Sequence, residues 1–360
     1  MVTTDSRTDL SRRRLLSGTA AGWLLSASGV THGASDPAAF VNYARRDDVR
    51  LWAAQVSEKR GIPFSWIIQA LTLARTNAMT VKIMSRPALT ATSTPKDWFK
   101  HRRTYVNAAR VSNAQVFIQE HAAAFTESWQ RYQVPPQIVA AVIGVETNYG
   151  RLTGNIRTLD ALCTLSFDYT RRAAFFQNEL ESFLTLMWQG KADPTSVKGS
   201  FAGALGICQF MPSNIEKLGV DLDGDGVVNL SESADDAIGS AAHYLREVGW
   251  VRGLPVSWPC RVTPEIVRWF DTGEARLTTS LQNLLDAGIE LPAPLPVSPK
   301  TSVLLVSLPA GKTTVYRVGT ANFAALLDYN RSFFYAQTVS DLADSILSGD
   351  VLPPEALPAA

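Results

Sequence analysis

The sequence predicts a mainly α protein of the α+β class, and three observations carry that prediction. Apolar residues recur with helical spacing from Pro37 to about Tyr132, as in Trp66, Ile67, Ala70, Leu71 and Ala74. Further helical stretches over 134–250 alternate with Gly-rich turns. Two β-prone segments, Thr301–Leu308 and Thr313–Val318, flank Pro309-Ala310-Gly311-Lys312 as the arms of a hairpin would.

Composition bounds the rest. At 360 residues, 46% hydrophobic and 19% charged, the chain is globular and long enough to bury a core without staples. A net charge of +1 supplies no basic excess, so no nucleic-acid partner is expected. Cys163, Cys208 and Cys260 are an odd number, so at least one stays free or pairs outside the chain. The histidines at 32, 101, 121 and 243 form no local metal cluster.

Taken in order, Ser11-Arg12-Arg13-Arg14-Leu15-Leu16 opens a mildly apolar run to Val30, with no acidic residue from Ser11 to Ser35. This reads as an export signal over 1–34, of the twin-arginine type, too short and polar to span a bilayer. It contains no cysteine, so no lipid anchor is expected, and the destination is the periplasm. A helical domain is expected over 36–132. A catalytic-type core over 133–290 follows, then a linker and small β element over 291–320. Pro292, Pro294, Pro296 and Pro299 forbid a helix at the start of that element. Two short helices, Asn322–Tyr329 and Val339–Leu347, belong to a C-terminal segment over 321–350.

One helix places a carboxylate against the grain. Pro135-Pro136 starts it and Gly150 is a natural terminator. Ile138, Val142, Val145 and Glu146 fall on one face, so Glu146 is the sole charge in an apolar stripe. It also lies in the last turn, where the helix dipole disfavours an anion. Both effects favour the protonated form, the state a general acid needs. The alternative is a buried glutamate paired with Arg151 or Arg157.

Other constellations are read with alternatives open. Ser200 to Pro212 concentrates small residues, suiting close approach to a ligand or another helix. Tyr329-Asn330 with Tyr335 suits a sugar site or plain packing. Arg171-Arg172 suits an anion clamp or a solvated pair. Asp221, Asp223, Asp225, Val227 (through its carbonyl), Asn229 and Glu232 fit the spacing of an EF-hand calcium loop. The loop occurs once, which favours a structural role.

Together these stretches resemble the lytic murein transglycosylase B family. The resemblance runs through Pro135-Pro136, Gly144 to Arg151, Leu159 to Leu162, Leu165 to Phe167 and Arg171 to Ala173. It continues through Gly199 to Gly206, Gln209 to Pro212, the Asp-rich loop, Ala237 to Ser240, Tyr244-Leu245, Asn322-Phe323, Tyr329-Asn330 and Tyr335-Ala336. It covers roughly residues 36–350 and implies a lysozyme-like helical core with an N-terminal helical domain and a small β domain. The implied activity is cleavage of the MurNAc–GlcNAc β-1,4 bond of peptidoglycan, leaving 1,6-anhydro-MurNAc ends. A hydrolytic muramidase and a non-catalytic peptidoglycan-binding scaffold are the rivals. The resemblance makes Glu146 the acid/base and places Ser200, Gln209, Tyr244, Tyr329, Asn330 and Tyr335 along the glycan groove. Arg171 and Arg172 would face an acidic peptide stem. His101 stands where the family shows a groove tyrosine. Family loops differ in length at the calcium site, so the last ligand is expected to be Glu232, with Asp236 as rival. Glycan strands are the expected partner, other cell-wall enzymes are further candidates, and no organic cofactor is expected. The motif supplies one catalytic carboxylate, with Asp160 and Asp168 as the remaining candidates for a second.

Overall fold

A computed structural model describes residues 42–85, 96–293 and 297–353. The expected export signal over 1–34, together with Pro294 and Pro296 of the linker, lies outside them.

The amino-terminal periodicity becomes six helices: α1 (Asp47–Arg60), α2 (Phe64–Leu73), α3 (Ala78–Met84), α4 (Trp98–Tyr105), α5 (Ala108–Glu120) and α6 (Ala122–Tyr132). In the α2 stripe, Ile67, Ala70, Leu71 and Ala74 are buried, whereas Trp66 stays partly exposed at its margin. Five helices follow: α7 (Pro136–Thr147), α8 (Thr158–Phe167), α9 (Ala173–Gln189), α10 (Pro212–Leu218) and α11 (Ala234–Glu247). Strands β1 (Ile156–Arg157) and β2 (Lys198–Gly199) pair antiparallel beside them. Charge latches the two groups together. Arg60 at the end of α1 bonds Glu181 of α9 and Glu216 of α10, each at 2.5 Å.

The β element is larger than the hairpin the sequence suggests. Strand β3 (Ser257–Cys260) and strand β4 (Thr279–Ser280) join β5 (Ser302–Ala310) and β6 (Thr313–Gly319) in the order β3-β6-β5-β4. Residues 257–290, read from the sequence as core, thus contribute two strands and two helices, α12 (Pro264–Phe270) and α13 (Leu281–Asp286). The hairpin turn is also tighter than expected. Pro309 lies within β5 opposite Thr314, and only Gly311 and Lys312 turn the chain. Strand β4 pairs only with Ser302 and Val303, so at Pro309 the ladder has β6 alone as strand neighbour and tolerates a missing donor.

Side-chain alternation in β5 divides the interior. Leu304, Val306 and Leu308 join the main core, while Val303 and Leu305 join a small cluster with Cys260, Ile266, Leu281, Leu284, Ile289 and Val318. The main core is contiguous and draws residues from every helical part, among them Val49, Ile143, Phe183, Leu245 and Phe323. All three cysteines are buried and unpaired.

The chain ends in α14 (Ala321–Tyr329) and α15 (Phe333–Ser348). Helix α15 begins six residues before the expected Val339, because Ser332 caps it by accepting the Tyr335 N–H. It packs along α7 and is tied to α4 by the buried pair of Arg102 and Asp341, with Arg102 also donating to the Leu352 carbonyl at 2.7 Å.

Breaking a buried pair leaves an uncompensated charge, which costs about 3 kcal/mol or more. Asp341→Asn should therefore lower stability by about that amount, read from the urea midpoint. A loss below about 0.5 kcal/mol would show that the pair does not anchor α15.

Candidate active site

Helix α7 starts on Pro136 at its first position and is buried almost throughout. Glu146 occupies its final turn. Burial pushes the Glu146 carboxyl up to about 7, while the neighbouring Tyr335 hydroxyl pulls in the opposite direction. Among the described residues it has no ion pair. Arg157 is instead engaged with Asp160 at 3.5 Å and with the Leu73 carbonyl at 3.0 Å, and Arg151 is exposed. The alternative of an arginine-paired glutamate therefore fails.

The end of α7 is fixed by its own sequence. The helix stops at Thr147, three residues earlier than Gly150, because Asn148, Tyr149 and Gly150 are all left-handed, with φ of 51°, 60° and 79°. Tyr149 thereby folds back over Gly144, where a Cβ would stand 2.5 Å from its hydroxyl. That hydroxyl donates to the Arg110 carbonyl at 3.1 Å, and the Arg110 guanidinium donates to the Gly144 carbonyl. Thr147 donates its hydroxyl to the Ile207 carbonyl at 2.6 Å and accepts the Gly150 N–H. Glu146 thus sits on a turn clamped from both sides.

Aromatic groups from three helices converge on it. Tyr329 ends α14 and Tyr335 begins α15, with rings stacked at 6.2 Å and 13°. Tyr244 of α11 meets Tyr329 edge-on at 4.9 Å. Two of the three hydroxyls are committed to backbone: Tyr244 donates to the Asp328 carbonyl at 2.8 Å, and Tyr329 to the Cys208 carbonyl at 2.5 Å. The Tyr335 hydroxyl is buried beside Glu146, near enough to favour its carboxylate form, but makes no well-formed hydrogen bond. Burial raises all three phenols, so they remain neutral donors. Asn330 is buried next to this cluster and its side-chain amide has no protein partner among the described residues.

The remaining groove candidates behave differently. The Ser200 hydroxyl accepts the Ala202 and Ala204 N–H groups at 3.3 and 3.0 Å, closing a turn. Gln209, left-handed at φ 52°, donates to the Thr153 and Gly206 carbonyls. The small residues of this stretch serve close backbone packing: a Cβ on Gly206 would meet the Leu230 carbonyl at 2.2 Å. Arg172 lies over the Phe175 ring at 4.2 Å, coupled to Tyr169 and Glu179, and is not brought to the Glu146 cluster. Arg171 beside it is exposed. His101 packs against Trp98, Tyr105 and Phe334, and burial lowers its pKa, keeping it neutral.

Two neighbours of Glu146 escaped the sequence reading. Tyr105 and Cys208 both couple electrostatically to its carboxyl. Tyr105 carried a signal, since Trp98, His101 and Tyr105 fall at i, i+3 and i+7 on one helix face. Neither Asp160 nor Asp168 supplies a second acid. Asp160 accepts the Arg75 N–H at 2.9 Å, and Asp168 binds Arg46 at 2.6 Å and the Tyr43 hydroxyl.

The Asp-rich loop gathers a different set of acids from the one the spacing favours. The carboxylate oxygens that gather within 4.8 Å of one another belong to Asp221, Asp223 and Asp236, and not to Glu232. Asp236 lies in the first turn of α11, fully buried, and accepts the N–H groups of Leu222 and Asn229 at 2.8 and 2.7 Å. Glu232 is exposed, 3.4 Å from the Asn229 amide. Ser233 caps and restarts the helix, which turns Asp236, the rival to Glu232, inward. Asp225 and Asn229 remain on the loop, each accepting backbone N–H groups, with Val227 between them.

The transglycosylase SLT domain family matches residues 45–344. Membrane-bound lytic murein transglycosylase B of Escherichia coli K12 is 34% identical over 311 residues, which is 85% of this chain and 84% of that protein. The lytic transglycosylase Slt35 of Escherichia coli, solved in complex with calcium, matches with a TM-score of 0.77 and 33% identity, over 86% of this chain and 96% of that one. SltB3 of Pseudomonas aeruginosa, solved with NAG-anhNAM-pentapeptide, matches with a TM-score of 0.71 and 29% identity, over 87% and 83%.

The raised Glu146 pKa fixes the sign of a linkage. A proton bound more tightly in the folded state stabilises it fully below about pH 4.5, and that stability is lost as pH rises through about 7. Glu146→Gln removes the term. The variant should gain on the parent as pH rises, by roughly 3 kcal/mol at most above pH 7. Unfolding curves at pH 4 and pH 8 check this, and parallel pH profiles would refute the buried acid.

Proposed function

The chain belongs to the transglycosylase SLT domain family, and from that membership we propose that Glu146 is its acid and base in non-hydrolytic cleavage of peptidoglycan. The observation that carries this is a glutamate in the last turn of the apolar helix α7 with, among the described residues, no ion pair and no second acid beside it; burial raises its pKa accordingly. A hydrolase of the usual kind needs two carboxylates flanking the bond. With one, the substrate must provide the nucleophile.

Protonated Glu146 donates to the glycosidic oxygen, so the GlcNAc side leaves as an alcohol and C1 of MurNAc becomes oxocarbenium-like. The MurNAc N-acetyl oxygen stabilises C1 in the interval. Asn330, with a free side-chain amide, is better placed to orient that group than Ser200, whose oxygen already accepts two N–H groups. Glu146, now a carboxylate, takes the proton from the MurNAc C6 hydroxyl as its oxygen bonds C1. A 1,6-anhydro ring results, and Glu146 regains its starting proton. Holding that hydroxyl near C1 replaces a bimolecular step by an intramolecular one, a gain of up to about 7–11 kcal/mol. The relative SltB3 was solved with an anhNAM ligand, which supports this product. The stacked Tyr329 and Tyr335 rings supply walls that exclude water.

The Asp-rich loop suits calcium. Its donors are all oxygen, and a buried Asp236 beside Asp221 and Asp223 brings three like charges together. Asp221, Asp223 and Asp236 would hold the ion, with Asp225, Val227 and Asn229 completing the shell. Bound calcium would supply charge compensation and fix the loop. Leu230 at the loop's end accepts the Ile207 N–H at 2.7 Å, and the Ile207 carbonyl receives Thr147, so the loop braces the turn behind Glu146. We place the protein in the periplasm, where its substrate lies. Among the described residues no helix is long and apolar enough to cross a membrane.

Mass spectrometry of products from purified sacculi tests the reaction. The parent should release 1,6-anhydro ends, and Glu146→Gln should lose at least 10²–10⁴-fold in rate while still binding glycan. Free reducing MurNAc ends would make the enzyme a muramidase, and no product from the parent would leave a scaffold.

Calcium is tested by melting. At a hundredfold excess over Kd it should stabilise the parent by about 2.7 kcal/mol over chelator. Asp223→Ala should lose that gain and Glu232→Gln should keep it. Loss in Glu232→Gln would restore the EF-hand assignment.

A further inference from the structure

Away from Glu146, the described surface carries a cleft lined by two tryptophans. It measures about 470 Å³ and is lined by Trp66, Met187, Trp188, Gln189, Lys191 and Ala192. Trp66 comes from the margin of the α2 stripe, and Trp188 lies in the last turn of α9 with 38% of its surface exposed. The two indoles meet edge-on at 5.3 Å and 64°, so they brace one another while both line the cleft.

The chain turns there at some expense. The Lys191 N–H bonds the Trp188 carbonyl at 3.2 Å and the Ala192 N–H bonds the Met187 carbonyl at 2.9 Å, the pattern that closes a helix with a left-handed residue. Glycine is the usual occupant of that position. Here it is Lys191, at φ 51°, exposed and lining the same cleft as the two indoles. Nearby Asp193 is turned toward its own Thr195, accepting both N–H and hydroxyl at 2.8 Å. A strained position filled by a cation next to paired aromatics is a reason to look for a ligand.

We propose that this cleft is an accessory binding site for a peptidoglycan strand, an inference that rests on the murein substrate argued above. Indole faces match the apolar C–H faces of sugar rings, the Gln189 amide can pair with hydroxyl or acetamido groups, and Lys191 complements the carboxylates of peptide stems. Nine residues lead from Lys191 to Ser200, a span of no more than roughly 32 Å. A strand long enough to touch both places would be retained longer on polymer through the second contact, with the chemistry unaltered.

The test uses retention on insoluble sacculi, measured in the Glu146→Gln background so that no strand is cut, and turnover of a short soluble glycan in the parent background. Trp66→Ala with Trp188→Ala should weaken retention at least tenfold, leave short-glycan turnover within twofold and raise KM on sacculi. Trp188→Phe keeps a stacking face and should restore most retention. Lys191→Gly relieves the left-handed strain, so it should melt no lower than the parent, yet bind sacculi several-fold less tightly at low salt. Retention within twofold of the parent in both the double variant and Lys191→Gly would overturn the site, leaving the cleft as helix packing. If the double variant fails to fold, Lys191→Gly and Trp188→Ala alone decide. Absence of anhydro product from the parent would count against the catalytic reading and leave the retention result to judge this one.

Discussion

The structure depends on keeping one half-buried carboxyl poorly solvated without giving it a cation. An unpaired buried carboxylate is expensive, so the group keeps its proton until about neutral pH. A nearby arginine would relieve that expense and remove the acid. Helix α7 avoids this by being apolar along its length and by ending immediately after Glu146 in three left-handed residues. Arg110, held against this turn, spends its guanidinium on the Gly144 carbonyl and its backbone carbonyl on Tyr149.

Other parts of the fold serve the same end. Helix α15 brings Tyr335 against the carboxyl and is itself held by the buried Arg102–Asp341 pair. The N-terminal helices supply Tyr105 and His101 to the same wall, and Arg60 latches them to α9 and α10. The Asp-rich loop reaches the turn through Leu230, Ile207 and Thr147, two hydrogen bonds in series. The tyrosines contribute mostly as rings, because Tyr244 and Tyr329 give their hydroxyls to backbone carbonyls.

Much of this was legible in the sequence where pattern and chemistry coincide. Glu146 stood out because a charge in an apolar stripe has few physical explanations. The helical periodicities over 37–132 matched real helices for the same reason. What was not legible depended on long-range pairing. Strand β4 is two residues long and has no period to detect, so the extent of the sheet stayed hidden. Helix α15 starts six residues before the expected Val339, although Ser332, three residues before Tyr335, is a usable cap signal. Asp236 was second choice because EF-hand spacing counts residues along the chain, whereas a helix start at Ser233 decides which acid points inward. The commitments of Ser200 and Gln209 to backbone are invisible to any reading that lacks coordinates.

The most direct measurement is the ionisation of Glu146 itself. Carbon NMR of side-chain carboxyls in glutamate-labelled protein, with the Glu146→Gln variant to assign the signal, follows that one group through a pH titration. A midpoint near 7, far from the ordinary glutamate range, is the expected result. A midpoint near 4.5 would mean that the carboxyl is solvated or paired in solution, and Glu146 would then be no acid at neutral pH.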